Sequence, residues 1–263
     1  MSADEPTEVP RTDLRALRVR AASVEDVLLE HADVRDVLVR DTRLRGVELQ
    51  RVEIWGDLED VSVNGVDVGP LVEAELDRRF PDHALMRPTD ADGFRRAWQV
   101  LGGLWDGTLE QVRGLDPDLL HVGVHGEWSV VETLRHLVFA SESWVGRTVL
   151  GEASPWHPLS LPWDGMPDTP GVPRDREVRP DLDTVLALRA DRVAMVGRVL
   201  DALVDADLDR ELVTPDGPGW PPAGARFPLR EPLLVVLNEE WWHRRFAERD
   251  LDLLLADPAA ARP

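Results

Sequence analysis

Three side chains in this sequence have the types and spacing to hold a metal ion. Glu239 and His243 stand four residues apart, so on a helix both project from one face. A carboxylate and an imidazole placed this way can grip one divalent cation without distorting the backbone. The same pair is far more often a surface ion pair, so spacing alone leaves both readings open. His136 interrupts the apolar run Leu134 to Phe139, where a lone histidine also reads as a core residue satisfied by a carbonyl or carboxylate. Taken together, two imidazoles and one carboxylate form an open set that leaves coordination positions for water or substrate. Such an ion keeps a net charge of about +1, enough to acidify a water or thiol toward neutral pH. Zinc suits the set first, and nickel and manganese tolerate it.

Neighbouring residues offer further roles. Glu240, three residues before His243, is an alternative carboxylate. Glu132 lies one turn before His136 and reads either as a partner that orients it or as a helix cap. Arg244, Arg245 and Arg249 could receive acidic groups of a substrate or thiol cofactor, against the simpler reading of solvated arginines. Trp241 and Trp242 read as packing residues, and His121, His125 and His157 as loop histidines beside the site.

Four helices must position these groups. The first spans about 93–115, with Phe94, Trp98, Leu101, Leu104 and Trp105 on one face. The second opens at Ser129-Val-Val-Glu132, a capping-box pattern, and runs to about Leu150, where Gly151 stops it. A proline-rich loop over 152–180, carrying Trp156 and Trp163, crosses to a third helix at about 181–203. After a second loop (215–228), the fourth runs from about Pro232 to Leu255. Four helices with one long crossover make a bundle. Residues 71–92 read as a short helix and a proline-punctuated linker.

The N-terminal part follows another rule. Every fifth residue from Leu14 to Ile54 (Leu14, Val19, Val24, Leu29, Val34, Val39, Leu44, Leu49, Ile54) is aliphatic, a period that neither helix nor strand explains. Two residues earlier, Thr12, Leu17, Ala22, Val27, Ala32, Val37, Thr42, Val47 and Val52 mostly alternate small and large. After Ile54 the register fails, and Val61, Val63, Val66 and Val68 read as a closing strand. The organisation is therefore a repeat stub over 1–70, a linker over 71–92 and the helical bundle over 93–263.

Composition narrows the function classes. The formal charge is −20, from 30 basic and 50 acidic side chains, and all the basic ones are arginine. That balance disfavours nucleic acid and anionic membranes as partners. With no cysteine, any thiol chemistry needs a thiol from a small molecule. Met1–Thr12 carries no apolar run and no segment approaches the roughly 18 apolar residues of a membrane span, so a cytoplasmic protein is expected.

Two resemblances follow from these motifs. The five-residue register resembles the pentapeptide-repeat family, which implies a short right-handed β-helix of a little over two coils, here a docking or dimerisation element. Its bulky residues at the second inward position depart from the family pattern. Glu127-Trp-Ser129, Leu-Arg-His136-Leu, and Asn238-Glu-Glu-Trp-Trp-His243 followed by Ala-Glu-Arg-Asp250-Leu resemble the DinB/YfiT superfamily over about residues 93–255. The resemblance implies a mainly α fold, a four-helix bundle with a metal held by His136, Glu239 and His243. Glu239, where many members carry histidine, is similar to the mycothiol-dependent maleylpyruvate isomerase branch. That branch implies a metal-activated low-molecular-weight thiol, mycothiol or bacillithiol in type, and an S-transfer or isomerisation on a small electrophile. A metal- or ligand-binding stress protein without turnover is the alternative.

Overall fold

A computed structural model describes residues 39, 41–54 and 58–256. The chain divides into two compact units, Met1–Glu53 and Ile54–Pro263.

In the first unit, backbone φ is positive at Asp41, Gly46 and Arg51, so a left-handed turn residue recurs every five positions. The aliphatic register does not face a core there: Val39, Leu44 and Leu49 are 63–71% exposed. No strand pairing occurs among the described residues of this unit, so they do not display the expected β-helix. The pentads from Leu14 to Val34 lie outside the described residues.

The second unit opens on a hairpin, β1 (Ser62–Val63) with β2 (Val66–Asp67). Asn64 and Gly65 both take positive φ, the requirement of the two-residue turn that matches strand twist. The expected closing strand is thus two short strands. Pro70 at the start of α1 (Gly69–Arg79) suits a first helical turn.

Three of the four long helices begin where short polar side chains cap them. Asp90 accepts from the Gly93 amide at the start of α2 (Ala91–Arg113), and Asp181 from the Thr184 amide at the start of α4 (Leu182–Ala202). Ser129 and Glu132 form the complete capping box of α3 (Val130–Ser141), so Glu132 serves as a cap. Helix α5 (Arg230–Ala256) follows a small antiparallel pair, β3 (Glu211–Val213) and β4 (Arg226–Pro228).

One expected helix differs. Beyond Ser141 the backbone widens into a π-helical segment, Glu142–Val149, instead of continuing as α-helix to Leu150. Gly151, at φ +75°, ends it, and the Glu152 amide donates to the Gly146 carbonyl.

Each of α2 and α3 packs against both α4 and α5, so the four form a ring with α2 diagonal to α3. Phe94, Leu101, Leu233, Leu237 and Trp241 centre one part of the core; Trp105, Leu134, Leu137 and Leu251 centre another. Across the other diagonal, Arg189 of α4 donates two bonds to the Glu240 carboxylate of α5 (3.0 and 2.9 Å). Both are buried, and the guanidinium lies 4.9 Å from the Trp105 ring centre.

A candidate metal centre between α3 and α5

Helix α3 is buried on nearly all sides, which is why His136 is only 5% exposed. Its ring faces α5, where the four-residue spacing brings Glu239 and His243 onto one turn. The Nε2 atoms of His136 and His243 lie 3.2 and 3.0 Å from the same oxygen, Oε2 of Glu239. One ligand atom from each residue falls within 4.8 Å of the other two. Ligands about 2.0–2.1 Å from a tetrahedral metal are about 3.3 Å apart, so this spacing fits a small divalent cation.

Protonation follows from the surroundings. His136 Nδ1 lies 3.0 Å from the Leu161 carbonyl, which can only accept, so the proton belongs on Nδ1. Burial pushes the His136 pKa below its ordinary value, against the upward pull of Glu239. A neutral ring then aims its Nε2 lone pair at the carboxylate. Burial favours the acid form of Glu239, but the two imidazoles outweigh it when their Nε2 atoms carry a proton, and then hold the carboxyl far below the usual carboxylate range. Among the described residues, the ion-pair partners of Glu239 are these imidazoles and no arginine. The site therefore gathers lone pairs and negative charge, which is what a cation needs.

A second acidic group, Glu73, Asp77 and His83, is superficially similar. There Arg87 supplies the positive charge itself, 2.6 Å from Glu73 and 2.6 Å from Asp77. Its hydrogen bonds, with a smaller contribution from His83, lower the Asp77 pKa. That cluster is satisfied internally, and the triad is not.

Aromatic rings wall the triad. Trp128 stacks on His243 (5.6 Å, 14°) and tilts against His136 (4.5 Å), while Phe246 meets His243 edge-on. Phe139 lies 6.0 Å from His136 and contacts Trp163, which in turn meets Trp220. Glu239 and His243 keep 29% and 20% of their side-chain surface, so the group opens on one flank. Arg176 lies 5.9 Å from the Trp128 ring centre and pairs with Asp164.

The other named residues fall elsewhere. Glu240, the alternative carboxylate, is engaged by Arg189. Arg244 pairs with Glu248 and lies near Asp82, and Arg245 stacks 3.8 Å from the Phe80 ring centre, so neither joins the triad. Arg249 bonds Asp250. Trp241 is fully buried and donates to Asp82. The His157 amide donates to Glu142, and its ring accepts from the Leu159 amide. His125 is exposed in a left-handed turn. Sequence reasoning did not single out Trp128, the Leu161 carbonyl or Glu142. The signal for Trp128 was its place immediately before the capping serine, at the mouth of the helix that carries His136.

A family profile described as the DinB superfamily matches residues 94–247. The match spans more than half of the chain and contains all three triad residues, and the chain belongs to the DinB superfamily. No match is found among curated proteins or among solved structures. No helix among the described residues is long and apolar enough to cross a membrane.

Proposed function

We propose that His136, Glu239 and His243 hold one divalent metal, zinc first, with nickel and manganese as the other fitting ions. In this reading the protein is an enzyme of the mycothiol-dependent isomerase type that activates a low-molecular-weight thiol, or water, for transfer, isomerisation or hydrolysis. The observation that carries it is the convergence of three donors on one point, with no arginine paired to Glu239 among the described residues and one open flank. Members of the superfamily often bind a divalent metal, which agrees. When bound, the ion supplies Lewis acidity that lowers the pKa of the nucleophile.

The chain's own residues do the rest. Leu161 holds His136 in the Nδ1–H form, leaving Nε2 free to ligate. Trp128 and Phe246 exclude water from one side and confine the nucleophile to the open flank. The thiol and the electrophile both come from solution, because the sequence has no cysteine. The exposed aliphatic register of the N-terminal unit, read as a pentapeptide repeat, suits a docking or dimerisation role.

Metal analysis of untagged protein tests the reading, beside His136→Ala and His243→Ala. We expect about one equivalent per chain, with affinity in each variant down by more than the roughly 100-fold that losing an outer partner causes. Addition of thiol to cobalt-loaded protein should then change the visible spectrum. Protein that takes up no zinc, nickel or manganese on dialysis would overturn the metal; a bound metal indifferent to thiols would favour a binding protein without turnover.

A further inference from the structure

The crossover between the π-helical segment and α4 meets α3 at the ligand. Leu161 both donates its amide to the Arg135 carbonyl (3.3 Å) and accepts from His136 Nδ1 (3.0 Å). Its neighbour Ser160 donates to Oε2 of Glu142, and the His157 amide donates to Oε1 of the same carboxylate (3.1 Å). Arg192 of α4 completes that carboxylate's partners at 2.9 and 2.8 Å. On the other side, Arg135 Nε donates to the Leu159 carbonyl (2.8 Å). Residues 157–161 are thus pinned to α3 and its extension at positions 135 and 142, about two turns apart, with His136 between.

We propose that Glu142 and Ser160 are positioning residues for His136, acting through the Leu161 carbonyl, and so set the affinity of the metal centre. The inference rests on the metal reading of the triad. An imidazole's outer torsion is broad, so helix geometry alone does not decide which nitrogen faces Glu239. The carbonyl decides it, and the carbonyl stays in place only while the loop is held. Ser160 and Glu142 are 0% and 1% exposed, so water cannot replace the lost bond in a variant.

The test compares Ser160→Ala and Glu142→Gln with Ser143→Ala. Ser143 is equally buried and anchors the same loop by accepting from Trp156 Nε1 (3.1 Å), away from Leu161. Two quantities are read: zinc affinity by chelator competition, and solvent exchange of the His136 Nδ1 proton in metal-free, histidine-labelled protein. Ser160→Ala should weaken zinc binding about 10-fold and speed the exchange, while Ser143→Ala changes both by less than about twofold. Glu142→Gln, which keeps the shape, should act in the same direction and serves if Ser160→Ala does not fold. The proposal is overturned if the folded variants match wild type in both readouts, or if Ser143→Ala matches Ser160→Ala. If the wild type binds none of zinc, nickel and manganese, the metal reading falls, and the exchange comparison still decides the positioning.

Discussion

Glu240→Gln should destabilise the bundle severely and leave the metal centre intact, even though its neighbour Glu239 is a ligand. In the native protein the Arg189 guanidinium has two bonds to Glu240 and an aromatic face beside it, and both charged groups are almost inaccessible to water. The amide can accept only one of those bonds and leaves a buried positive charge without its counter-ion. Breaking such a pair from one side costs about 3–5 kcal/mol. At about 2–4 °C per kcal/mol for a unit of this size, the midpoint should fall by roughly 6–20 °C. Arg189→Met with Glu240→Leu removes both charges and keeps volume, so most of the loss should return. Urea unfolding followed by tryptophan fluorescence, with calorimetric midpoints, measures all three proteins. Zinc affinity should survive Glu240→Gln and be lost in Glu239→Gln. The reasoning is refuted if Glu240→Gln lies within about 0.5 kcal/mol of wild type, or if the double variant is as unstable as the single.

Two further outcomes are expected. Burial raises the Glu142 pKa above its ordinary 4.5, despite the opposing bonds from Ser160 and Arg192. In that window the native state binds the extra proton, so this group's contribution to stability declines as pH rises through the raised value. Wild type should therefore gain stability relative to Glu142→Gln as pH is lowered from 7 to about 4.5, measured by unfolding at each pH. Gly219 leaves no room for a side chain, since a Cβ there would sit 2.3 Å from the Trp156 ring and 2.8 Å from the Arg147 guanidinium. Gly219→Ala should cost about 1–3 kcal/mol by denaturant unfolding, and a loss within error would show that the loop yields freely.

The helical frame was readable because its signals are local. The Ser129/Glu132 box and the apolar periodicity placed α3 and α2 within two residues of where they begin. The four-residue spacing of Glu239 and His243 brought two donors together for the same reason. The π-helical widening at Glu142 was not legible: nothing in local propensity marks it, and the partners of Glu142 there, Ser160 and Arg192, lie 18 and 50 residues along the chain. The roles of Glu240 and Leu161 were hidden likewise: one depends on Arg189, 51 residues away, and the other on a backbone carbonyl that any residue carries. Arg244 and Arg245 were drawn toward the site by nearness in sequence, but helical rotation carries them toward Asp82 and Phe80.

Two arginines give the loops around the triad an unusual freedom. Arg135 donates to the carbonyls of Leu159, Asp175 and Val178, and Arg147 to those of Ala153, Pro215, Gly217 and Pro221. The hydrogen bonds of both go to main chain alone, and among the described residues the one loop ring beside either is that of Trp156, 5.6 Å from the Arg147 guanidinium. Carbonyls persist through substitution, so mutations on the rim can alter its chemistry while the rim keeps its course. Natural variation can therefore retune what approaches the open flank without touching the two cations that hold the rim, and a library randomised over solvent-facing positions of these loops would inherit the same tolerance.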